Sequence, residues 1–242
     1  MGKSRPAEEI YAEAKENLDE GSYDAAIKLY EDLQSRYPYG RYAQQAMLEM
    51  AYANYRQNEP EPAIAAADRF IKQFPNNPHV DYAYYLKGLA NFSGEISLLN
   101  SIGGQDPTER DPQAPQDSFN AFKELVTRFP NSKYTPDAKV RMQYLVNALA
   151  KHELHVAKYY LRRGAHIAAV NRAQNVLKQY PNSPSTRDAL EIMAQAYDAM
   201  GMTDLRDDAR RVLEKNGGPS IARDNETTAI HGAPKSWWQF WK

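Results

Sequence analysis

The densest group of potential metal or acid–base residues is His152-Glu153-Leu154-His155. Helical zinc hydrolases need two histidines four residues apart, with a glutamate beside the first, so that both imidazoles meet one ion from adjacent turns. Here the histidines stand three apart, and His79, His166 and His231 are distant in sequence. A polar helix face fits this pattern better than a metal centre. There is no nucleophile elbow, no phosphate-binding glycine loop and no carboxylate pair placed for general acid–base work. Gly103-Gly104 falls in a loop that lacks the strand and helix a phosphate site requires. Cysteine is absent, which excludes disulfides, thiolate nucleophiles and cysteine metal sites from this chain. The expectation is a protein without enzymatic activity, cofactor or metal.

The chemistry that remains is that of contact. Tyr37-Pro38-Tyr39-Gly40-Arg41-Tyr42 sets three tyrosines around a turn. Tyrosine combines rigid apolar area with a polar tip and is favoured at interfaces. Tyr37 also reads as a hairpin-closing core residue, because Phe74, Phe129 and Tyr180 recur before proline as it does, whereas Tyr39 and Tyr42 have no such equivalents. All three tryptophans fall in the terminal Trp237-Trp238-Gln239-Phe240-Trp241-Lys242. Such a cluster is costly to leave in water. Trp237, Trp238 and Trp241 are therefore expected to anchor the tail in a lipid interface, in a partner or on the chain's own repeats.

Length and composition bound the rest. The 242 residues are 42% hydrophobic, enough for one elongated domain or two small ones. No stretch approaches the ~18 uninterrupted apolar residues of a spanning helix, and no apolar signal-peptide core lies near Met1. The start, Met1-Gly2-Lys3-Ser4, reads as an added leader, with residues 1–7 flexible. The net charge of -1 hides an asymmetry, with residues 1–120 at a net -8 and residues 121–242 at +7. A polar layout of this kind steers charged partners or is drift along solvated faces. It does not favour nucleic acid, since the chain as a whole is not basic.

The elements that carry these residues repeat. Aromatic-proline pairs recur at Tyr37-Pro38, Phe74-Pro75, Phe129-Pro130 and Tyr180-Pro181. A shift of 37 lays Ala14, Leu18, Ala26, Ile27, Leu33 and Tyr37 on Ala51, Tyr55, Ala63, Ile64, Phe70 and Phe74. A shift of 143 lays the same residues on Ala157, Leu161, Ala169, Val170, Val176 and Tyr180, with Gly21 on Gly164. Apolar residues spaced three and four apart, as in Ile10, Ala14 and Leu18, mark amphipathic helices. Alanines let paired helices approach, Gly21 supplies the turn, and the proline ends the second helix by lacking an N–H and disfavouring helix before it. Each unit is a helix–turn–helix of the tetratricopeptide kind, whose period is roughly 34 residues. The first-helix tryptophan of that class is missing. The expected fold is all-α, with about five tetratricopeptide-like hairpins in a right-handed superhelical solenoid.

Two units depart from the period. In the third, Ser93–Gln116 reads as a loop, or a loop holding one short helix, inserted between helices at Tyr82–Phe92 and Asp117–Arg128, on the strength of Gly103-Gly104, Pro107, Pro112 and Pro115. In the fourth, Pro136–Arg163 reads as one long helix or two nearly continuous ones. The expected organisation is repeats 1–3 over residues 8–130 with the inserted loop at 93–116, repeats 4–5 over 131–215, and a disordered tryptophan-rich tail over 216–242. Stacked hairpins form an extended concave face suited to peptides or domains.

Several stretches carry a more specific likeness. Arg36-Tyr37-Pro38-Tyr39-Gly40, Asp81-Tyr82-Ala83-Tyr84-Tyr85-Leu86-Lys87-Gly88-Leu89, Arg110-Asp111-Pro112, Val156-Ala157-Lys158-Tyr159-Tyr160, Val170-Asn171-Arg172 and Thr186-Arg187-Asp188-Ala189-Leu190 resemble the BamD family of tetratricopeptide lipoproteins. The matching stretches cover nearly all of residues 8–213, and the Arg-Asp-Pro element of the insertion is more specific than the repeats. The tail resembles β-proteobacterial versions. The resemblance implies a scaffold of the outer-membrane β-barrel assembly machine, held on the periplasmic side of the outer membrane by a lipidated N-terminal cysteine that this sequence lacks. It implies that Arg172, with Asn171 and Arg187, faces the POTRA domains of the barrel subunit BamA. It implies that Tyr37 meets the C-terminal targeting segments of unfolded outer-membrane proteins, where Tyr39 and Tyr42 are binding candidates from the residues themselves, and that Arg110 and Asp111 belong to a loop meeting the smaller lipoproteins BamC and BamE.

Other readings share parts of the pattern. Another periplasmic tetratricopeptide adaptor, for cell division or peptidoglycan, would have the repeats but not the Arg-Asp-Pro loop or the tryptophan tail. A cytosolic co-chaperone that reads peptide C-termini would want a basic clamp on its first repeats, and here those repeats are acidic.

Overall fold

The computed structural model describes residues 5–100 and 112–215, with side chains described over 5–92 and 112–215. Arg110, Asp111, Trp237, Trp238 and Trp241 lie outside the described residues, as does most of the inserted loop. The described residues form ten helices: α1 (Ala7–Asp19), α2 (Tyr23–Arg36), α3 (Arg41–Arg56), α4 (Pro60–Gln73), α5 (Val80–Asn100), α6 (Gln113–Arg128), α7 (Thr135–Arg162), α8 (His166–Gln179), α9 (Ser185–Ala199) and α10 (Thr203–Lys215). Each packs on its chain neighbours as a ladder of five antiparallel hairpins, and first helices also meet across repeats, α1 on α3, α3 on α5 and α7 on α9. This is the expected all-α, tetratricopeptide-like solenoid.

Four of the five hairpin turns share one mechanism. Gly21, Gly164 and Gly201 hold left-handed backbones at φ +82, +73 and +71, and Asn58 holds φ 61 at the position that a 37-residue shift assigns to Gly21. Glycine adopts this conformation freely, and asparagine is among the side chains that tolerate it. The next residue then bonds back across the helix end. Ser22 N reaches Asn17 O at 2.8 Å, Glu59 N reaches Asn54 O at 3.0 Å, Ala165 N reaches Tyr160 O at 3.0 Å and Met202 N reaches Tyr197 O at 2.9 Å. These are Schellman closures, which satisfy carbonyls left over at a helix C-terminus.

The aromatic-proline pairs stop the second helices in one conformation. Tyr37, Phe74, Phe129 and Tyr180 cap α2, α4, α6 and α8 with φ of -129, -130, -129 and -130. Each donates its N–H to the carbonyl four residues back, as Tyr37 does to Leu33 at 2.8 Å. The following proline can neither continue the ladder nor tolerate a helical residue before it.

The insertion is shorter than expected. Helix α5 runs on to Asn100 and α6 begins at Gln113, so both ends of the 93–116 stretch are helical. Pro115 is compatible with this because it falls in the first turn of α6, where N–H groups have no intrahelical acceptor. Helix α7 is one unbroken helix of 28 residues. It joins two cores: one extends from Ile10 to Leu145, the other from Ala150 to Ala209. The ladder ends in charge. Relative to Ala26 and Tyr30 of the first hairpin, the equivalent positions of the last are Arg206 and Arg210, and Arg206 bonds Asp198 and Asp207 at 2.8 Å each. A polar outer face of this kind is what capping repeats of such stacks carry.

Candidate protein-binding sites

At the N-terminal end, three helices converge on one carboxylate. Glu49 lies on the apolar stripe of α3, three residues after Ala46 and four before Ala53, and is fully buried. It accepts hydrogen bonds from Tyr11 of α1 at 2.9 Å, from Lys15 of α1 at 3.3 Å and from Tyr30 of α2. Burial pushes the Glu49 carboxyl above its ordinary range, against the pull of the Lys15 ammonium and the three donors. Burial, and then the neighbouring Glu49, raise the Tyr11 and Tyr30 hydroxyls in turn. A buried carboxylate is tolerated only when its lone pairs are met, and these donors meet them.

This centre carries an aromatic surface. Tyr42, at the start of α3, lies 5.1 Å from the Tyr11 ring, and Tyr11 lies 6.1 Å from Tyr30. The Arg41 guanidinium sits 4.6 Å from the Tyr42 centroid and donates to its hydroxyl at 2.6 Å. Gly40, with φ +99, turns the chain so that Tyr39 projects into solvent at 90% exposure. Tyr37 is half-buried against the core and donates to the Arg5 carbonyl at 2.8 Å. The three tyrosines singled out by sequence thus play different parts. Tyr37 closes a hairpin as its aromatic equivalents do, Tyr42 joins the Tyr11 cluster, and Tyr39 is the exposed ring.

At the C-terminal end, Asn171 and Arg172 lie on α8 and Arg187 on the first turn of α9. Asn171 and Arg187 are exposed. Arg172 faces α7, where its Nη1 meets both oxygens of Glu153 at 3.2 and 3.3 Å. Its side chain keeps 42% of its exposure while Glu153 keeps 19%, so the arginine is positioned by the pair yet open to a partner. Arg187 makes a looser pair with Glu191 at 3.5 Å. His152 and His155 are half-buried on α7. Among the described residues no group of three or more histidine or carboxylate side chains is placed to hold a metal ion.

Sequence reasoning passed over the polar centres that fasten the repeats. Besides Glu49, Asp137 of α7 accepts from Tyr85 of α5 at 2.7 Å and from Arg141 at 2.6 Å, and the buried Arg141 lies 4.9 Å from the Phe92 ring. The available signal was register. Glu49 and Arg141 each occupy a position where the helical period calls for an apolar side chain.

The chain matches the profile of the YfiO family, described as outer membrane lipoprotein, over residues 3–212. It is 45% identical to the outer membrane protein assembly factor BamD of Neisseria meningitidis over 234 residues, which is 97% of this chain and 86% of that protein. It is 40% identical to the factor of the same name in Xylella fastidiosa, over 87% of this chain and 72% of that one. Identity to the Vibrio cholerae factor is 36%, over 87% and 88%. Among solved structures, MamA aligns over 89% of this chain and 91% of its own with a TM-score of 0.37 and 18% identity; the repeat architecture rests on the helices described above and not on that likeness. No helix among the described residues is long and apolar enough to cross a membrane. Hairpin ladder, inserted third unit and extended sequence identity together place this chain in the YfiO/BamD family of outer membrane protein assembly factors.

Proposed function

We propose that this chain is a non-enzymatic scaffold of the outer-membrane β-barrel assembly machine, tethered by an N-terminal lipid to the periplasmic side of the outer membrane. Its C-terminal hairpins bind the POTRA domains of BamA through Arg172, with Asn171 and Arg187 beside it. Its N-terminal hairpins receive the C-terminal segments of unfolded outer-membrane proteins at Tyr39 and Tyr42. The insertion around Arg110 and Asp111 meets the smaller lipoproteins BamC and BamE.

The observation that carries this reading is Arg172. Glu153 holds its guanidinium in place on α8 while leaving it accessible. A planar fork held in one orientation suits bidentate capture of a partner carboxylate. The basic half of the chain supports an acidic partner there. Tyr39 supports the substrate site as an exposed ring beside the Tyr42 and Tyr11 cluster.

Calorimetric titration of the chain with purified BamA POTRA domains, alongside Arg172→Glu, tests the proposal. Binding by the parent and a loss of about 2–5 kcal/mol in the variant are expected, the range for breaking a desolvated charge pair. A folded parent that does not bind would overturn the proposed POTRA contact.

A further inference from the structure

Neither face described so far accounts for a cleft between the second and third hairpins. Helix α4 lines it with Ile64 and Ile71, α5 with Tyr84 and Lys87, and α6 with Asp117 and Glu124, and the half-open cleft has a volume of about 470 Å³. Each helix contributes residues one and two turns apart, so the cleft runs along the helices as a groove rather than a round pocket.

The corresponding α5 positions differ one repeat earlier, on α3. Under the 37-residue shift, Tyr84 and Lys87 correspond to Met47 and Met50. Met47 is buried, as Tyr84 is, and the Met50 sulfur accepts from Gln34 of α2 at 3.1 Å. At Lys87 the flexible thioether is replaced by an ammonium, which Asp68 of α4 holds at 2.8 Å. With that pair internally neutral, the charge left is the Asp117 and Glu124 carboxylates of α6 against one cation, Arg128, which lies 5.4 Å from the Tyr84 ring, so the groove is net acidic. Asp117 accepts from the neutral Gln113 amide at 3.0 and 3.1 Å, and Glu124 stands 3.9 Å from Arg128, with both of those side chains more than half exposed. Asn120, also on α6, adds an amide able to bond a peptide backbone. Ile64, Ile71 and Ala121 give apolar area between these polar groups.

We propose that this groove docks an extended polypeptide segment of a partner that carries basic side chains. The partner's alkyl stems lie on Ile64 and Ile71, its cations face Asp117 and Glu124, and its backbone meets the Asn120 amide. Apolar stems with a charged tip suit a groove that is apolar along its wall and acidic at its rim.

Titration of isotope-labelled full chain with an acetylated nonapeptide alternating lysine and threonine, followed by amide NMR, tests this. The side-chain amides of Asn91 and Asn120 and the backbone signals of Lys87 and Asp117 are expected to move. Asp117→Asn combined with Glu124→Gln should weaken binding about tenfold, as expected for loss of two close charge partners. Both residues are outward-facing on α6, and an unchanged thermal melt verifies folding. Glu8→Gln with Glu9→Gln on the exposed first turn of α1 removes as much charge elsewhere and should leave the affinity alone. The proposal is overturned if the α1 variant loses as much affinity as the α6 variant, if the moving signals spread over α1–α3, if a glutamate–threonine peptide binds equally, or if no signal moves.

Discussion

Gly88 sets a sharp test of the packing between α5 and α6. A Cβ built on Gly88 would stand 2.4, 2.6 and 2.8 Å from three ring carbons of Phe122. That ring is fully buried, with the Tyr85 ring at 6.1 Å and the Phe92 ring at 6.4 Å. Ser118 adds a second tie at the crossing by donating to the Gly88 carbonyl at 2.9 Å. Helix propensity alone predicts that Gly88→Ala stabilises α5 by about 0.8–1 kcal/mol. Forcing an extra carbon into a close-packed core costs about 1–3 kcal/mol, and contacts this short put the site at the upper end of that range. The net expectation is a destabilisation of about 1–2 kcal/mol, read from urea unfolding followed by circular dichroism. In a Phe122→Leu background the obstructing ring atoms are gone. There Gly88→Ala should be neutral or stabilising, giving a coupling of at least about 1 kcal/mol, within the range found for residues in contact. A Gly88→Ala variant as stable as the parent, or more so, would refute the crossing described here.

The remaining predictions address charge and the tail. The raised Glu49 carboxyl favours the folded state when protonated, so its stabilising contribution is full below the ordinary value of 4.5 and is lost as pH rises through its higher folded value. Parent stability relative to Glu49→Gln should therefore fall with rising pH across that window, and unfolding midpoints that diverge the other way would refute the burial argument. Arg172→Gln should cost at most about 1 kcal/mol of fold stability, because the Glu153 pair is part-exposed, yet it should weaken POTRA binding clearly; equal binding by parent and variant would remove Arg172 from the interface. Deletion of residues 217–242 should leave the melting temperature of the repeats nearly unchanged, and a large drop would mean that the tryptophan segment packs on the repeats.

Much of the architecture was legible because it is local. A proline stops a helix, and a left-handed turn wants glycine or asparagine, whatever the rest of the chain does. Hence Gly21, Gly164 and the four aromatic-proline pairs marked hairpins from spacing alone. The 93–116 stretch was harder, since Pro115 breaks a helix interior but fits a first turn, and only the actual start of α6 at Gln113 decides which applies. Of the candidate binding residues, Tyr39, Asn171 and Arg187 are exposed and Arg172 is part-exposed, while Tyr37 is half-buried with its hydroxyl on the Arg5 carbonyl.

From the sequence alone one could determine the hairpin, its period, its stops and the absence of cysteine chemistry. Only the tertiary structure decided that α7 is one rod shared by two cores. It alone decided that Glu49 is the buried junction of three helices, and that α4, α5 and α6 leave a groove over Lys87. The physical reason is the range of the interactions. Turn and stop chemistry acts over a few residues, while the Glu49 centre joins side chains 19 to 38 positions apart. Whether a polar side chain in an apolar register finds partners or faces solvent is settled by the neighbouring helices, which its own segment does not encode.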